Sequence, residues 1–359
     1  MNSTPRFRDA LSDIPGYKAG KRPEPRDDGV EAFKVSSNEN PYPPLPRVLK
    51  VIEDAAGQVN RYPDPASTHL VDAIAAHSGV PRDHVAVATG AVALCYQFAH
   101  ATAGVGDEVL FAWRSFEAYP IVASVAGATS VRVPLTSDGR HDLTALAAAV
   151  TDRTRLIFVC SPNNPTGTAV TQAELDEFMS AVPSDVMVVF DEAYIEFCLD
   201  PAAADGLATY RHHSNLAVLR TFSKAYGLAG LRVGYAIAQP PVIEALNKTA
   251  LPFGVSIIAQ AAAVASLADD GELSARVDAL VVERTRMIAA LRDRGVDVVD
   301  SEANFIWLHL GEQTVAFAEH CEAAGLTVRA FPGEGVRVTV GETAANDRFL
   351  ELAPAFLAG

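Results

Sequence analysis

Charged and polar side chains stand at the ends of several apolar runs, where they could carry chemistry. Lys224 and Arg232 lie eight residues apart in LRTFSKAYGLAGLRVGYAI, between two runs of strand length. Asp191 follows the apolar run VMVVF, and Tyr194 comes three residues later. A buried carboxylate is costly unless it has a partner. These side chains are therefore candidates for a shared ligand site.

Three further apolar runs end in groups that suit an anion or a polar ring. RLIFVC is followed by Asn164 in the turn NNPTG, and LAVLRTF contains Thr221 and precedes Ser223. HVAVAT leads through Gly90 into a helix, whose first N–H groups form a natural anion site. Taken singly, an acid at a strand end is usually a turn former or cap. A lone buried lysine is more often an ion-pair partner than a catalyst.

One ligand accounts for the whole set of strand-end residues. It needs a phosphate, a ring nitrogen beside a carboxylate, a phenolic oxygen that accepts hydrogen bonds, and a carbonyl group that forms an imine with an amine. Pyridoxal 5′-phosphate has all of these features. In this interpretation Lys224 forms the imine and Arg232 pairs with the phosphate.

The order of apolar and helical segments predicts the fold that positions these residues. From about Pro46, seven apolar runs between HVAVAT and RVGYAIA are interspersed with helical stretches such as TQAELDEFMSAV. Runs that are apolar on both faces and separated by helices are typical of a mainly parallel sheet covered on both sides. Ligands bind at the carboxyl ends of the strands in such sheets. We therefore predict an α/β fold with three α-β-α layers.

The pattern of helical and strand-like segments changes after about Ile243, and this change predicts a second, smaller domain. Long helical segments come first, and the short strand-like runs ANFIWLHL, LTVRAF and GVRVTV follow. We predict an N-terminal arm that includes part of the small domain in residues 1–45. The large cofactor-binding domain would span 46–243, and a connecting helix with a small α+β domain would span 244–359.

Composition and charge exclude several functional classes. The 359 residues carry 29 basic and 44 acidic side chains, a net charge of −15, which argues against nucleic acid or an anionic membrane as partner. No apolar stretch has the length of a membrane helix, and the histidines show no metal-ligand spacing. The four cysteines stand far apart without a CxxC pair, which favours reduced thiols and a cytoplasmic location.

The chain resembles the fold-type I pyridoxal-phosphate aminotransferases, within the histidinol-phosphate aminotransferase family. It is most similar to that family's phenylalanine or aromatic amino acid aminotransferase branch. The resemblance extends over nearly the whole chain from about Tyr17. The segments that carry it, in order, are SNENPYPP, NRYPD, GDEVLF, CSPNNPTG, DEAYIEF, RTFSKAYGLAGLRVGY, ANFIWL and GVRVTVG.

The resemblance implies a role for each matching residue. Lys224 would form the imine with the cofactor and later move the substrate proton, and Asp191 would keep the ring nitrogen protonated. Tyr194 and Asn164 would hydrogen-bond the phenolic oxygen. The phosphate would be held by Gly90, Ala91, Val92, Thr221, Ser223 and Arg232, with Phe116 stacked on the ring. Tyr62 would reach the phosphate from a neighbouring subunit, which implies a homodimer with active sites at the subunit interface. Arg337 would bind the substrate carboxylate, and Arg329, Asn38, Tyr17 and Asn304 would lie near the substrate.

The substrate prediction rests on the turn after the first strand of the sheet. Many histidinol-phosphate aminotransferases carry an acidic residue there, whereas this chain has Gly90-Ala91-Val92-Ala93. The apolar turn favours phenylalanine, tyrosine or tryptophan with a 2-oxo acid as partner substrate. Histidinol phosphate stays open as an alternative, since Arg329 and Arg337 could also bind a phosphate. A threonine-phosphate decarboxylase would keep the same lysine and aspartate, and a non-catalytic cofactor-binding module has no supporting segment.

Overall fold

The computed structural model describes residues 5–11, 14, 16–17, 20–23, 29–268 and 271–357. The strands are β1 (Phe33–Lys34), β2 (Val85–Ala88), β3 (Glu108–Trp113), β4 (Thr129–Pro134), β5 (Thr154–Cys160), β6 (Met187–Asp191), β7 (Leu216–Thr221), β8 (Gly234–Ile237), β9 (Phe305–His309), β10 (Leu326–Thr327), β11 (Arg329–Phe331) and β12 (Gly335–Thr339). The α-helices are α1 (Pro46–Ala56), α2 (Thr68–Ser78), α3 (Ala91–Thr102), α4 (Ala118–Ala126), α5 (Leu143–Ala148), α6 (Gln172–Ala181), α7 (Gly206–Tyr210), α8 (Pro240–Thr249), α9 (Ile257–Ser266), α10 (Glu272–Arg292), α11 (Thr314–Ala323) and α12 (Thr343–Leu357).

Seven strands form one large sheet in the order β2-β8-β7-β6-β5-β3-β4. Every neighbouring pair is parallel except the two that involve β8, which runs antiparallel to both β2 and β7. The mainly parallel sheet predicted from the apolar runs is therefore confirmed. The carboxyl ends of β5, β6 and β7 meet at one edge of this sheet.

Helices cover both faces of the large sheet, as predicted. Successive residues of a strand point to opposite faces, and Phe158 and Val189 accordingly belong to one apolar cluster while Val159 and Val188 belong to the other. The first cluster is completed by α3, α4 and α8, and the second includes side chains of α2, α5 and α6. This burial on both faces explains why the central strands are apolar runs without alternation.

A second sheet and its helices form the smaller part of the chain. Strands β11, β12 and β9 make an antiparallel sheet, and β1 pairs in parallel with β10. LTVRAF therefore contains two strands instead of the single run expected, because the chain changes partner at the buried Val328. The predicted boundary at residue 243 falls within α8, which packs against α3, and the division into domains stays a prediction. Within the described residues, no helix is long and apolar enough to cross a membrane.

Candidate active site

A cavity of about 280 Å³ lies at the carboxyl ends of β5, β6 and β7. Its wall includes the last residue of each of these strands, Cys160, Asp191 and Thr221. All but three of the residues singled out from the sequence line it. Those that do are Tyr17, Asn38, Ala91, Val92, Phe116, Asn164, Asp191, Tyr194, Thr221, Ser223, Lys224, Arg232, Arg329 and Arg337.

Asp191 is a buried acid held by two hydrogen-bond donors. The hydroxyl of Tyr119 donates to Oδ2 at 2.6 Å, and the backbone N–H of Ala193 donates to Oδ1 at 3.2 Å. Burial raises the pKa of Asp191 to about 6, although the Tyr119 bond acts to lower it. On the opposite face of the sheet, Arg220 Nε donates to Glu192 Oε2 at 2.8 Å and ties the ends of β6 and β7 together. Asp191 is thus a fixed carboxylate whose charge is best stabilised by a cation.

Lys224 supplies an amine to the same cavity. Its Nζ donates to the backbone oxygen of Ser37 at 3.3 Å and lies 5.7 Å from the centre of the Tyr194 ring. Burial lowers the pKa of Lys224 to about 7, helped by the positive charges of Arg337 and Arg232. An amine with such a pKa is largely neutral just above pH 7, and only the neutral form is a nucleophile or a base.

A candidate anion site lies where β2 turns into α3. Gly90 has φ +89° and precedes the first turn of α3, and a Cβ atom at this position would lie 2.5 Å from Arg232 Nη2. Arg232 Nη1 donates to Ser223 Oγ at 3.2 Å, and Ser223 N–H donates to Thr221 Oγ1 at 3.1 Å. The guanidinium group, two hydroxyls and the helix N-terminus together suit a phosphate. Gly90 therefore lies behind the cavity wall, where its missing side chain makes room for Arg232.

A second arginine enters the cavity from the small sheet. Arg337, on β12, is 7% exposed, and burial lowers the pKa of its guanidinium group. It donates through Nη1 to Asn164 Oδ1 and through Nη2 to the backbone oxygen of Ser36 at 2.8 Å. Its buried Nε has no hydrogen-bond partner among the described residues. Both described acceptors are neutral, so the positive charge of Arg337 is left for a carboxylate to neutralise.

Asn38 links the site to the N-terminal segment. It adopts φ +55°, and its Nδ2 donates to the hydroxyl of Tyr194 at 3.0 Å. Since that hydroxyl accepts from Asn38, its own proton is oriented away and can be donated to a ligand oxygen. Asn304 Nδ2 donates to the backbone oxygen of Asn38 at 3.2 Å. Asn304 therefore supports Asn38 from behind and does not line the cavity.

Tyr62 lies away from the cavity of its own chain. Its side chain is 81% exposed, and its ring lies 4.6 Å from that of Phe253. This placement is what a residue would need if it served a neighbouring subunit. Its role there stays a prediction.

Two residues that the sequence reasoning missed lie beside Phe116. Tyr119 donates to Asp191, and Glu117 Oε2 accepts from Arg329 Nη2 at 2.7 Å. The segment RSFEAYP contains both, but their partners lie 72 and 212 residues away along the chain. One signal was available, because the hydroxyl of a buried tyrosine usually requires a partner.

The groups in the cavity fit pyridoxal 5′-phosphate. Gly90 makes room for the guanidinium group of Arg232, which suits a phosphate, and Asp191 offers a buried carboxylate for a protonated ring nitrogen. Tyr194 offers a hydroxyl proton, and Lys224 offers an amine of near-neutral pKa. The ring of Phe116 forms part of the wall. Such a donor set matches each functional group of this cofactor.

Comparisons with known proteins agree with this geometry. The family model "Aminotransferase class I and II" matches residues 30–352. Curated proteins named aromatic amino acid aminotransferase from Streptomyces avermitilis and Streptomyces coelicolor are each 58% identical to the chain over 354 residues, covering 99% of it and 98% of their own length. The crystal structure of histidinol-phosphate aminotransferase from Sinorhizobium meliloti in complex with pyridoxal-5′-phosphate superimposes with a TM-score of 0.88 at 27% identity, covering 99% of each chain.

Proposed function

Because the chain belongs to the class I and II aminotransferase family, we propose that it is a pyridoxal-phosphate-dependent aminotransferase for aromatic amino acids. It exchanges the amino group between phenylalanine, tyrosine or tryptophan and a 2-oxo acid. The observation that carries the reaction type is that Lys224 and Asp191 line one cavity. The same cavity contains the groups that suit a phosphate, Thr221, Ser223 and Arg232. The substrate class is supported by the names of the relatives at 58% identity.

Asp191, Lys224 and Arg337 each have a different role in the proposed reaction. When bound, the cofactor supplies a ring that accepts the electron pair left on the substrate α-carbon after proton removal. Asp191, ionised and buried, stabilises positive charge on the ring nitrogen. Lys224, whose pKa is about 7, would take the α-proton and pass it on to the cofactor. Arg337 binds the α-carboxylate through its guanidinium fork and orients the α-carbon towards that amine.

The walls around the substrate position favour an aromatic side chain. Phe116 and Tyr17 both line the cavity, and their rings lie edge to face with centroids 6.5 Å apart. Val92 adds an apolar surface in the turn where many histidinol-phosphate aminotransferases carry an acid. The alternative substrate, histidinol phosphate, appears in the names of structural neighbours that are more distant, at 27% identity or less. No contact in the described residues favours a decarboxylase.

We further propose that the enzyme is a cytoplasmic homodimer in which Tyr62 completes the partner's site. Tyr62 and Phe253 are both exposed and their rings are in contact, and the exposed Leu251 lies two residues before Phe253 in the sequence. If two copies of the chain packed together through this surface, these exposed apolar side chains would be removed from water. The free cysteines are in keeping with a reducing compartment. Light scattering of the purified protein would establish the oligomeric state, and a monomer that retains full activity would refute the shared site.

A substrate panel with a lysine variant tests the proposed activity. The wild-type enzyme should transfer the amino group of phenylalanine, tyrosine and tryptophan with a higher kcat/KM than that of histidinol phosphate. Lys224→Ala should lose turnover while its circular dichroism spectrum and melting temperature remain close to wild type. Lys248→Ala, which removes an exposed lysine paired with Glu244, is the matched control. A Lys224→Ala enzyme with near-normal turnover would overturn the mechanism, and a strong preference for histidinol phosphate would overturn the substrate assignment.

A further inference from the structure

Two arginines stand side by side at the substrate end of the cavity, and only one of them has a described carboxylate partner. Arg329 and Arg337 are opposite each other in the register of β11 and β12, and both line the cavity. Arg329 Nη2 donates to Glu117 Oε2 at 2.7 Å. The described hydrogen bonds of Arg337 go to neutral acceptors, the Asn164 side chain and the Ser36 carbonyl. The two cations are therefore electrostatically different although they are neighbours.

The charges that line the cavity can be assigned one by one. Arg232, Asp191 and Lys224 suit the phosphate, ring nitrogen and carbonyl carbon of the cofactor. Glu39, a further acid in the wall, accepts from Lys34 Nζ at 2.8 Å. Arg337 then remains for the α-carboxylate of the substrate, and Arg329 is neutralised by Glu117. Among the described residues, the cavity offers one uncompensated cation to a substrate.

Glu117 is placed to act on the substrate. It follows Phe116 directly, lines the cavity, and has a side chain that is 30% exposed against 14% for Arg329. A substrate with an anionic side chain must either displace this carboxylate from Arg329 or lie next to it, and both cost free energy. A neutral aromatic side chain can pack against Phe116 and Tyr17 without disturbing the pair.

We propose that Glu117 determines substrate specificity by neutralising Arg329 and so discriminating against substrates whose side chains carry a carboxylate or a phosphate. This inference rests on the proposed aminotransferase function, and it deepens that function by assigning the selectivity to one carboxylate. Rejection through an unfavourable charge is a common route to specificity, because a binding pocket can be built against a competitor as well as for its ligand.

The test compares Glu117→Gln with a matched variant of the holoenzyme. Glutamine keeps the shape and one acceptor oxygen but removes the negative charge. Glu334→Gln is the control, because Glu334 forms a similar pair with Arg114, with side chains 35% and 18% exposed, but lies outside the cavity wall. The two readouts are binding of unreactive ligands, succinate against 3-phenylpropionate, and kcat/KM for L-glutamate against L-phenylalanine.

In Glu117→Gln, succinate should bind about tenfold more tightly or better relative to 3-phenylpropionate, a gain typical of removing one close like charge. The ratio of kcat/KM for glutamate to that for phenylalanine should rise by a similar factor. Glu334→Gln should leave both ratios within about twofold. The double variant Glu117→Gln/Arg329→Gln should lose the gain, because the guanidinium group exposed by the first change is its cause.

The outcomes separate this proposal from the proposed function. Unchanged ratios in Glu117→Gln, equal changes in Glu334→Gln, or a gain that survives in the double variant would each overturn the role of Glu117. Wild-type enzyme that fails to turn over phenylalanine would refute the aromatic substrate. The shift in ligand binding would still support the charge-based discrimination, since succinate and 3-phenylpropionate do not react.

Discussion

Removal of one hydroxyl, in Tyr119→Phe, should change how the enzyme responds to pH. Tyr119 is fully buried, stacks on Phe158 with ring centroids 4.4 Å apart, and donates to Asp191 Oδ2 at 2.6 Å. Phenylalanine keeps the ring and its stacking, so the fold should be retained. The lost interaction is a hydrogen bond to an ionised carboxylate in a buried site.

The expected magnitude follows from the strength of that bond. A hydrogen bond to a charged group contributes about 1.5–3 kcal/mol net, which corresponds to a rise of roughly one to two units in the pKa of Asp191. Burial already raises the pKa of Asp191 to about 6, so the variant should titrate at about 7–8. The ionised carboxylate is the form that pairs with a protonated ring nitrogen. Cofactor affinity should therefore fall when the pH drops through the pKa of Asp191 in the cofactor-free protein.

The variant should thus lose affinity for the cofactor only on the acid side. Relative to wild type, the loss should be roughly 10- to 100-fold well below pH 6, about two- to tenfold at pH 7, and negligible at pH 9. Titration of the cofactor-free proteins with pyridoxal phosphate between pH 5 and 9 measures these ratios. Taking the ratio of variant to wild type removes the titration of the cofactor itself.

Tyr210→Phe provides the control for this experiment. Tyr210 is also buried, and its hydroxyl lies 3.5 Å from His84 Nδ1, outside the cavity. Its affinity ratio should stay near one at every pH. If the ratio for Tyr119→Phe were constant across the pH range, the hydroxyl would not act through the proton of Asp191, and the reasoning would fail.

Two further substitutions test the cofactor site. Because the pKa of Asp191 is raised in the folded state, its protonated form stabilises the fold at low pH, and this contribution is lost as pH rises through about 6. The cofactor-free Asp191→Asn protein should therefore be more stable than wild type at pH 8 by roughly 1–3 kcal/mol, and denaturant titrations should show a smaller difference at pH 4. The same variant should lose turnover. Gly90→Ala should weaken cofactor binding by about tenfold or more, because the new Cβ meets Arg232 at 2.5 Å. Gly106→Ala, also at a positive φ (+95°) but with open space around it, should leave cofactor affinity unchanged.

The features that the sequence predicted well are those encoded over short stretches. Asp191 and Thr221 stand at the ends of apolar runs, and parallel strands bring such ends to the same edge of a sheet. The pattern therefore predicted both the strands and the place where their polar ends meet. Gly90 could be read in the same way, since a glycine between a strand and a helix start indicates a turn that approaches an anion.

The features that the sequence did not predict depend on partners distant in the chain. The hydrogen bond from Tyr119 to Asp191 joins α4 to β6, and the pair of Glu117 and Arg329 joins the start of α4 to β11. Neither periodicity nor spacing within RSFEAYP contains that information. The break of LTVRAF at Val328 has the same cause, because each half pairs with a different strand. The role predicted for Tyr62 involves a second chain and stays a prediction.

The residues that we propose for the reaction chemistry and those that we propose for substrate choice come from different parts of the fold. The groups suited to the cofactor, among them Asp191 and Lys224, lie at the ends of the large sheet, whose strands are fixed by burial on both faces. Arg329 comes from the small sheet, and Glu117 meets it from the start of α4. A change of charge in that pair leaves the strand ends in place, because neither residue contributes to the core of the large sheet. Selectivity for the substrate side chain should therefore be adjustable by single substitutions at this pair without loss of the proton-transfer machinery.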